Sequence, residues 1–177
     1  MSKTKHMQTP LDKKAINSLK AGEEVLLSGT IYTARDQAHM RLSGLITEGG
    51  KLPLELTGQV IYYCGPAPAK TGPIGSCGPT TSGRMDPFTP MLLDAGLKGM
   101  IGKGRRSQEV ADAIKKNGAV YFIAPGGAGA YLREKVISCV TVAFEDLGPE
   151  AIYKLEVKDF PLVVGIDTEG KDIYSKL

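Results

Sequence analysis

The stretch LKGMIGKGRRSQEVADAIKKNGAVYFIA, residues 97–124, falls into three parts with different periodicities. Leu97 to Ile101 is an apolar run of strand length that stops at Gly102-Lys103-Gly104. Ser107 then stands where a helix N-cap belongs. Val110, Ala111 and Ile114 follow on one helical face, Lys115 and Lys116 suit the last turn, and Gly118 comes just after it. Ala119 to Ala124 is a second apolar run, of the kind found in a strand covered on both faces. Strand, helix, strand in this order predicts a crossover between parallel strands.

Upstream, Asp86-Pro87 predicts another helix, with the aspartate as its cap and Phe88, Met91, Leu92 and Ala95 on its face until Gly96. Downstream, Pro125-Gly126-Gly127-Ala128-Gly129 turns into a brief helix over residues 130–135. Strands follow over 136–144, 153–157 and 162–166, and a turn over 167–170. Towards the N-terminus, Val25 to Thr33 reads as a strand, and Val60 to Tyr63 as the best part of another. Thr9-Pro10 predicts a short helix that ends at Gly22. ARDQAHMRL, residues 34–42, reads as a polar break between elements. The flanking strands suit antiparallel pairing. These elements give an α/β fold with mixed parallel and antiparallel sheet content, in a single domain over residues 1–177 with a flexible terminus at 1–9.

The composition is that of an ordinary globular chain, with 42% apolar and 23% charged residues in 177. A formal charge of +3 gives no case for a nucleic-acid or membrane partner. Cys64, Cys77 and Cys139 are far apart in sequence and contain no C-x-x-C pair, so they suggest neither a disulfide framework nor a zinc site. With no apolar leader and no run of membrane-spanning length, the expected location is cytoplasmic.

Residues 65–83, GPAPAKTGPIGSCGPTTSG, hold five glycines and four prolines. A segment this long without regular structure reads as a functional loop or as disorder. Its end runs into GPTTSGRMDPFTP (78–90), which carries Arg84. Arg35-Asp36 with His39, Thr80 to Arg84, and Lys103 to Arg106 each follow a predicted strand. In open α/β sheets, ligands sit beyond the carboxyl ends of the parallel strands. Two arginines and a lysine converging there suit a small dicarboxylate, because the guanidinium fork matches a carboxylate. Each piece also has a plainer reading. Arg35-Asp36 reads equally as a surface ion pair, His39 as a structural histidine, Asp86 as a helix cap, and Lys103 to Arg106 as a solvated basic turn. PGGAGA lacks the spacing and the acidic partner of a dinucleotide site.

Five segments, in order, resemble one family: ARDQAH (34–39), GPTTSGRMDPFTP (78–90), GKG with the following R-S (102–107), GGAGAYL (126–132) and EAIYKLEVKDFP (150–161). They are similar to the β-subunit of the iron–sulfur hydro-lyases, the class I fumarases and L-tartrate dehydratases. The resemblance implies a swivelling β/β/α domain and reversible hydration of fumarate to L-malate, or dehydration of tartrate. It implies an α-subunit partner that binds a 4Fe-4S cluster through its own cysteines, with no metal ligand on this chain. It implies Arg35, Arg84 and Lys103 as binders of the substrate carboxylates and Thr80 as the catalytic base or a positioning group. His39, Thr81, Ser82, Gly83 and Asp86 are supporting residues. The loop at 65–83 is expected to be mobile without the partner. A non-catalytic binding module is the reading from another class.

Overall fold

The computed structural model describes residues 4–176. Among them are seven strands, β1 (Lys5–Gln8), β2 (Glu24–Thr33), β3 (Val60–Tyr62), β4 (Gly99–Gly102), β5 (Val120–Ile123), β6 (Val136–Ala143) and β7 (Ile152–Ile166). The α-helices are α1 (Lys13–Asn17), α2 (Asp36–Thr47), α3 (Thr89–Asp94), α4 (Gln108–Asn117) and α5 (Gly129–Arg133). The sheet order is β1-β2-β3-β4-β5-β7-β6, and β2 also pairs with β7. Strands β2 to β5 therefore run parallel, and antiparallel β7 bridges β5 back to β2, closing the sheet on itself.

Strand alternation sorts the core into two layers. Leu27, Ile31, Val60, Tyr62, Phe122 and Phe160 belong to one cluster within the curved sheet. Tyr62 and Phe160 meet edge to face at 5.4 Å, a favoured aromatic geometry. Ile61, Tyr63, Met100 and Tyr121, on the opposite faces of the same strands, join Leu42 of α2, Leu92 of α3 and Ile114 of α4 in a second cluster. This is an α/β fold with a mixed sheet, as expected.

β4, α4 and β5 form as the sequence predicts. Ser107 Oγ accepts from Val110 N at 3.2 Å, and Gly118 ends α4 in the left-handed region at φ 57°. Four other expectations are corrected. Residues 5–8 form β1, paired with β2, so the flexible terminus does not extend over them; residues 1–3 lie outside the described part. Thr9 is no helix cap. Its bond to Pro10 is cis, and α1 starts at Lys13 under Asp12, whose carboxylate accepts from Ala15 N at 2.8 Å. The polar break at 34–42 is the first half of α2, which needs only Ala38, His39 and Leu42 turned inward to anchor it. The strands at 153–157 and 162–166 are one strand, β7. Asp159, at φ 50°, absorbs the irregularity, and Ser28 Oγ accepts from its N–H at 3.0 Å.

The 65–83 loop has no regular structure before Ser82 but is tied down at several points. Its tip is exposed, but Ile74 and Cys77 are buried. Ala67 N donates to Ser76 O at 2.9 Å, the Tyr62 hydroxyl donates to Cys77 O, and Thr80 N donates to Tyr63 O at 2.7 Å. The loop is thus a strap pinned to the end of β3, and Gly75 lets it fold back on itself, since a Cβ there would stand 2.3 Å from Ala67 O.

Candidate active site

Every predicted site segment follows the carboxyl end of a parallel strand. Arg35 lies two residues after β2, Thr80 is held against the end of β3, and Lys103 follows β4 directly. An isolated bridge pairs Thr81 with Lys103. Ser82 N donates to Lys103 O at 2.9 Å, and Lys103 N donates to Thr80 O at 3.3 Å. The 80–82 backbone therefore extends the sheet past β4 and fixes Thr80 beside Lys103. A turn of 3₁₀ helix, Ser82–Met85, then presents Arg84.

Arg84 reaches across to the start of α2. Its Nε donates to Asp36 Oδ1 at 3.0 Å, and its Nη2 lies 3.0 Å from Oδ2. Arg35 Nε lies 3.8 Å from Asp36 Oδ2 and 3.9 Å from Glu150 Oε1, beyond hydrogen-bond reach of both. Arg35 Nε is accordingly a buried donor without a hydrogen bond, and Asp36 Oδ2 has none either, since its 3.0 Å approach to Arg84 Nη2 is an ion pair without hydrogen-bond alignment. Such atoms are uncommon, and where cations gather they point to a missing anion or partner group. Arg84 is 52% exposed and Arg35 27%. The two arginines thus meet over one carboxylate on an open edge, with Arg84 next to the Thr80–Lys103 pair. Sequence reasoning missed Asp36 as the partner of Arg84, and Glu150 as a neighbour of Arg35. Both lie inside quoted motifs, but nothing local to those motifs marks the contact.

Behind this edge, the supporting residues differ from expectation. Thr81 and Gly83 are exposed, but Ser82 is buried with its hydroxyl 2.9 Å from Tyr121 Oη, so it does not face a ligand. Asp86 does not cap α3. Its Oδ1 accepts from Arg106 Nε at 2.6 Å, and its Oδ2 accepts from Ser107 N at 2.7 Å. A buried guanidinium needs a counter-charge more than a helix end needs a cap. Arg106, expected in a basic turn, has a side chain that is 0% exposed. Gly102 is required by this packing. A Cβ there would overlap Ser82 Oγ and stand 2.9 Å from Tyr63 Cδ2. Gly102→Ala is expected to destabilise the fold by about 1–3 kcal/mol, the usual range for overpacking, measurable as a lowered Tm.

His39 is fully buried, as the plainer reading had it. Its Nδ1 lies 2.8 Å from Arg35 O, which can only accept, so Nδ1 carries the proton and Nε2 is left without a partner. Burial first, helped by the nearby Arg106 charge, lowers its pKa from 6.5 to about 4. The unfolded chain therefore takes up a proton between pH 6.5 and 4 that the folded chain refuses. Stability is full above pH 6.5 and falls as the pH drops towards 4, by roughly 3 kcal/mol. Urea unfolding at several pH values should show this slope, and it should vanish in His39→Gln. A His39 ring that titrates near 6.5 by NMR contradicts it.

The implied iron–sulfur cluster finds no fit on this chain. Cys64 and Cys77 are buried in the core, and Cys139 is partly buried at β6. The hydrogen bond with Cys77, together with burial, pushes the Cys64 thiol well up, against the thiolate a metal needs. Among the described residues no group of three His, Cys, Asp or Glu side chains could hold a metal ion. No helix among them is long and apolar enough to cross a membrane.

A closed mixed α/β sheet with arginines and a lysine at the carboxyl ends of its parallel strands defines a domain built to present cations at one edge. The chain belongs to the family described as Fumarase C-terminus, which it matches over residues 2–177. It is 40% identical over 175 residues to "Fumarate hydratase 2" of Leishmania major, covering 96% of this chain and 31% of that protein. It is 44% identical over 154 residues to "Fumarate hydratase class I, anaerobic" of Escherichia coli (strain K12), covering 85% of this chain and 28% of that protein. To a "Putative L(+)-tartrate dehydratase subunit beta" of Methanocaldococcus jannaschii it is 38% identical over 174 residues, covering 94% of this chain and 89% of that one. The chain thus spans a third or less of the two fumarate hydratases and nearly all of the tartrate dehydratase subunit.

Proposed function

We propose that this chain is the β-type part of an iron–sulfur hydro-lyase that hydrates fumarate reversibly to L-malate. It supplies the carboxylate-binding half of the site, and a partner α-type polypeptide holds the cluster. The observation that carries this reading is the meeting of Arg84 and Arg35 over one carboxylate, with Lys103 and Thr80 on the adjoining strand end. Asp36 sits on Arg84 as a substrate carboxylate would, and the orphaned Arg35 Nε leaves a donor for another anion.

Malate loses a poorly acidic proton from the carbon beside a carboxylate, and the resulting aci-carboxylate carries extra negative charge. Arg35, Arg84 and Lys103 hold that carboxylate and stabilise the charge as it builds. Thr80 Oγ1, beside Lys103, takes the proton or fixes the carbon that loses it. A free hydroxyl is a weak base, so the cations around it are part of that role. On an edge this open, water screens each of these charges. A partner that covers the edge would both exclude water and complete the site.

The test is anaerobic reconstitution of the purified chain with its cluster-bearing α-type partner, assayed with fumarate and with L-tartrate. Hydration of fumarate by the complex, and none by either chain alone, is expected. Turnover by the isolated chain, or a complex inert to both substrates, would falsify this reading. Tartrate is the second candidate, favoured by the match to the "Putative L(+)-tartrate dehydratase subunit beta", which covers 89% of that protein. Higher kcat/KM with tartrate would choose it.

A further inference from the structure

We infer that Arg106, which touches no substrate, is the positioning residue that locks the segments carrying Thr80, Arg84 and Lys103 into one frame. The inference rests on the proposed function for its meaning in turnover, but its geometry stands apart from it. Arg106 lies just past Lys103, at the head of α4, and turns wholly inward. Its guanidinium sits between two rings, with Cζ 5.2 Å from the centre of Tyr63 and 5.0 Å from that of Tyr121. Nε donates to Asp86, while Nη2 donates to Thr89 Oγ1 at 2.8 Å and to the Tyr63 hydroxyl at 3.2 Å.

Each partner leads to a different site segment. Asp86 N donates to Gly83 O at 3.2 Å, so Asp86 closes the turn that carries Arg84. Tyr63 O receives the Thr80 N–H. The Tyr121 hydroxyl donates to Gly104 O at 2.8 Å, next to Lys103, and meets the Ser82 hydroxyl. The Tyr63 ring also packs edge-on against His39 at 5.3 Å, and His39 Nδ1 donates to Arg35 O. All four predicted site segments are therefore tied, through two or three contacts, to a single buried cation. A planar group with two ring faces and three directed donors makes these contacts at once. A lysine ammonium offers charge without the plane or the fork.

A buried ion pair is poor evidence of stabilisation, because apolar replacements of similar volume often serve as well. A purely structural Arg106 would therefore change melting and leave turnover per folded molecule alone. Loosening a site by about 1 Å, by contrast, lowers rate by up to about 100-fold. Arg106→Lys keeps the countercharge for Asp86. In the complex with the α-type partner it is expected to lower kcat 30- to 100-fold per folded, cluster-loaded molecule, with KM changed less than 5-fold. Tyr121→Phe, which removes only a hydroxyl and keeps the ring, is expected to fold normally and to lower kcat about 10-fold. It carries the test if the lysine variant fails to fold. In the isolated full chain, the Arg84 Nε–H NMR resonance, bonded to Asp36 in the wild type, should shift in both variants.

Wild-type kcat in folded Tyr121→Phe, together with an unmoved Arg84 resonance, overturns the inference, as does wild-type kcat in folded Arg106→Lys. A wild-type complex that turns over neither fumarate nor tartrate overturns the functional reading alone. The Arg84 resonance then still decides whether Arg106 positions that side chain.

Discussion

Arg84→Ala in the assembled complex is expected to lower kcat/KM for fumarate hydration about 10³-fold. The side chain offers Nε and Nη2 along one edge, already set on the Asp36 carboxylate at 3.0 Å each. Each hydrogen bond from a charged donor contributes about 1.5–3 kcal/mol, and two of them reach roughly 4 kcal/mol, or a factor near 10³. Stability should hardly change, because an ion pair on a half-exposed side chain contributes about 0–1 kcal/mol. The signature is therefore a large kinetic loss with a Tm close to that of the wild type. Arg84→Lys should recover only part of the activity, because a point charge cannot follow two oxygens at once. Steady-state kinetics on the three proteins, with cluster content matched, gives the answer. An Arg84→Ala complex within about fivefold of wild type removes Arg84 from the site.

How much of this arrangement was legible follows from where each signal lives. β4, α4 and β5 were legible because their determinants are local. Ser107 caps, Gly118 takes the left-handed region, and two apolar runs flank them. α2 was hidden because Arg35, Asp36, Gln37 and Arg41 outnumber the few side chains that it buries. β7 was split in two because Asp159 and Pro161 break the pattern, and long-range pairing with β2, with the Ser28 hydroxyl on Asp159 N at the irregularity, keeps the strand whole. Asp86 carried a true capping signal that lost to a stronger demand twenty residues away, a guanidinium sealed from water. The general pattern is that capping and periodicity can be read within a window, and the satisfaction of a buried charge cannot.

The same distinction runs through the candidate site. Its cationic residues were legible as chemistry, since arginine and lysine after strand ends suit an anion whatever the details. What the sequence could not show is the carboxylate already resting on Arg84, the hydroxyl of Ser82 turned inward to Tyr121, and the buried frame behind both. Asp36 bears on affinity as well. A substrate that binds Arg84 as proposed must displace Asp36, which neutralises that guanidinium in the free chain.

Thr80→Ala separates two roles for the hydroxyl beside Lys103. The backbone of Thr80 is held on both sides, by its N–H on Tyr63 O and by Lys103 N on its carbonyl, so the substitution removes a hydroxyl and a methyl without freeing the chain. If Thr80 moves the proton, kcat should fall 10²- to 10⁴-fold, the range that a general base supplies, while KM stays within about threefold. If it only orients the substrate, KM should rise with a smaller fall in kcat, because ground state and transition state lose the same contact. Thr80→Ser keeps the hydroxyl and should retain most activity in either case, whereas Thr80→Val, which keeps the shape, should behave as alanine does. The proton-transfer role is expected, on the ground that the Thr80 backbone is bonded to that of Lys103, and a cation carried beside a hydroxyl favours its deprotonated form. An alanine variant with kcat within threefold of wild type and KM raised tenfold or more refutes it. Thr80 would then join Arg35 and Arg84 as a proposed binding group, and the base would have to come from the proposed α-type partner.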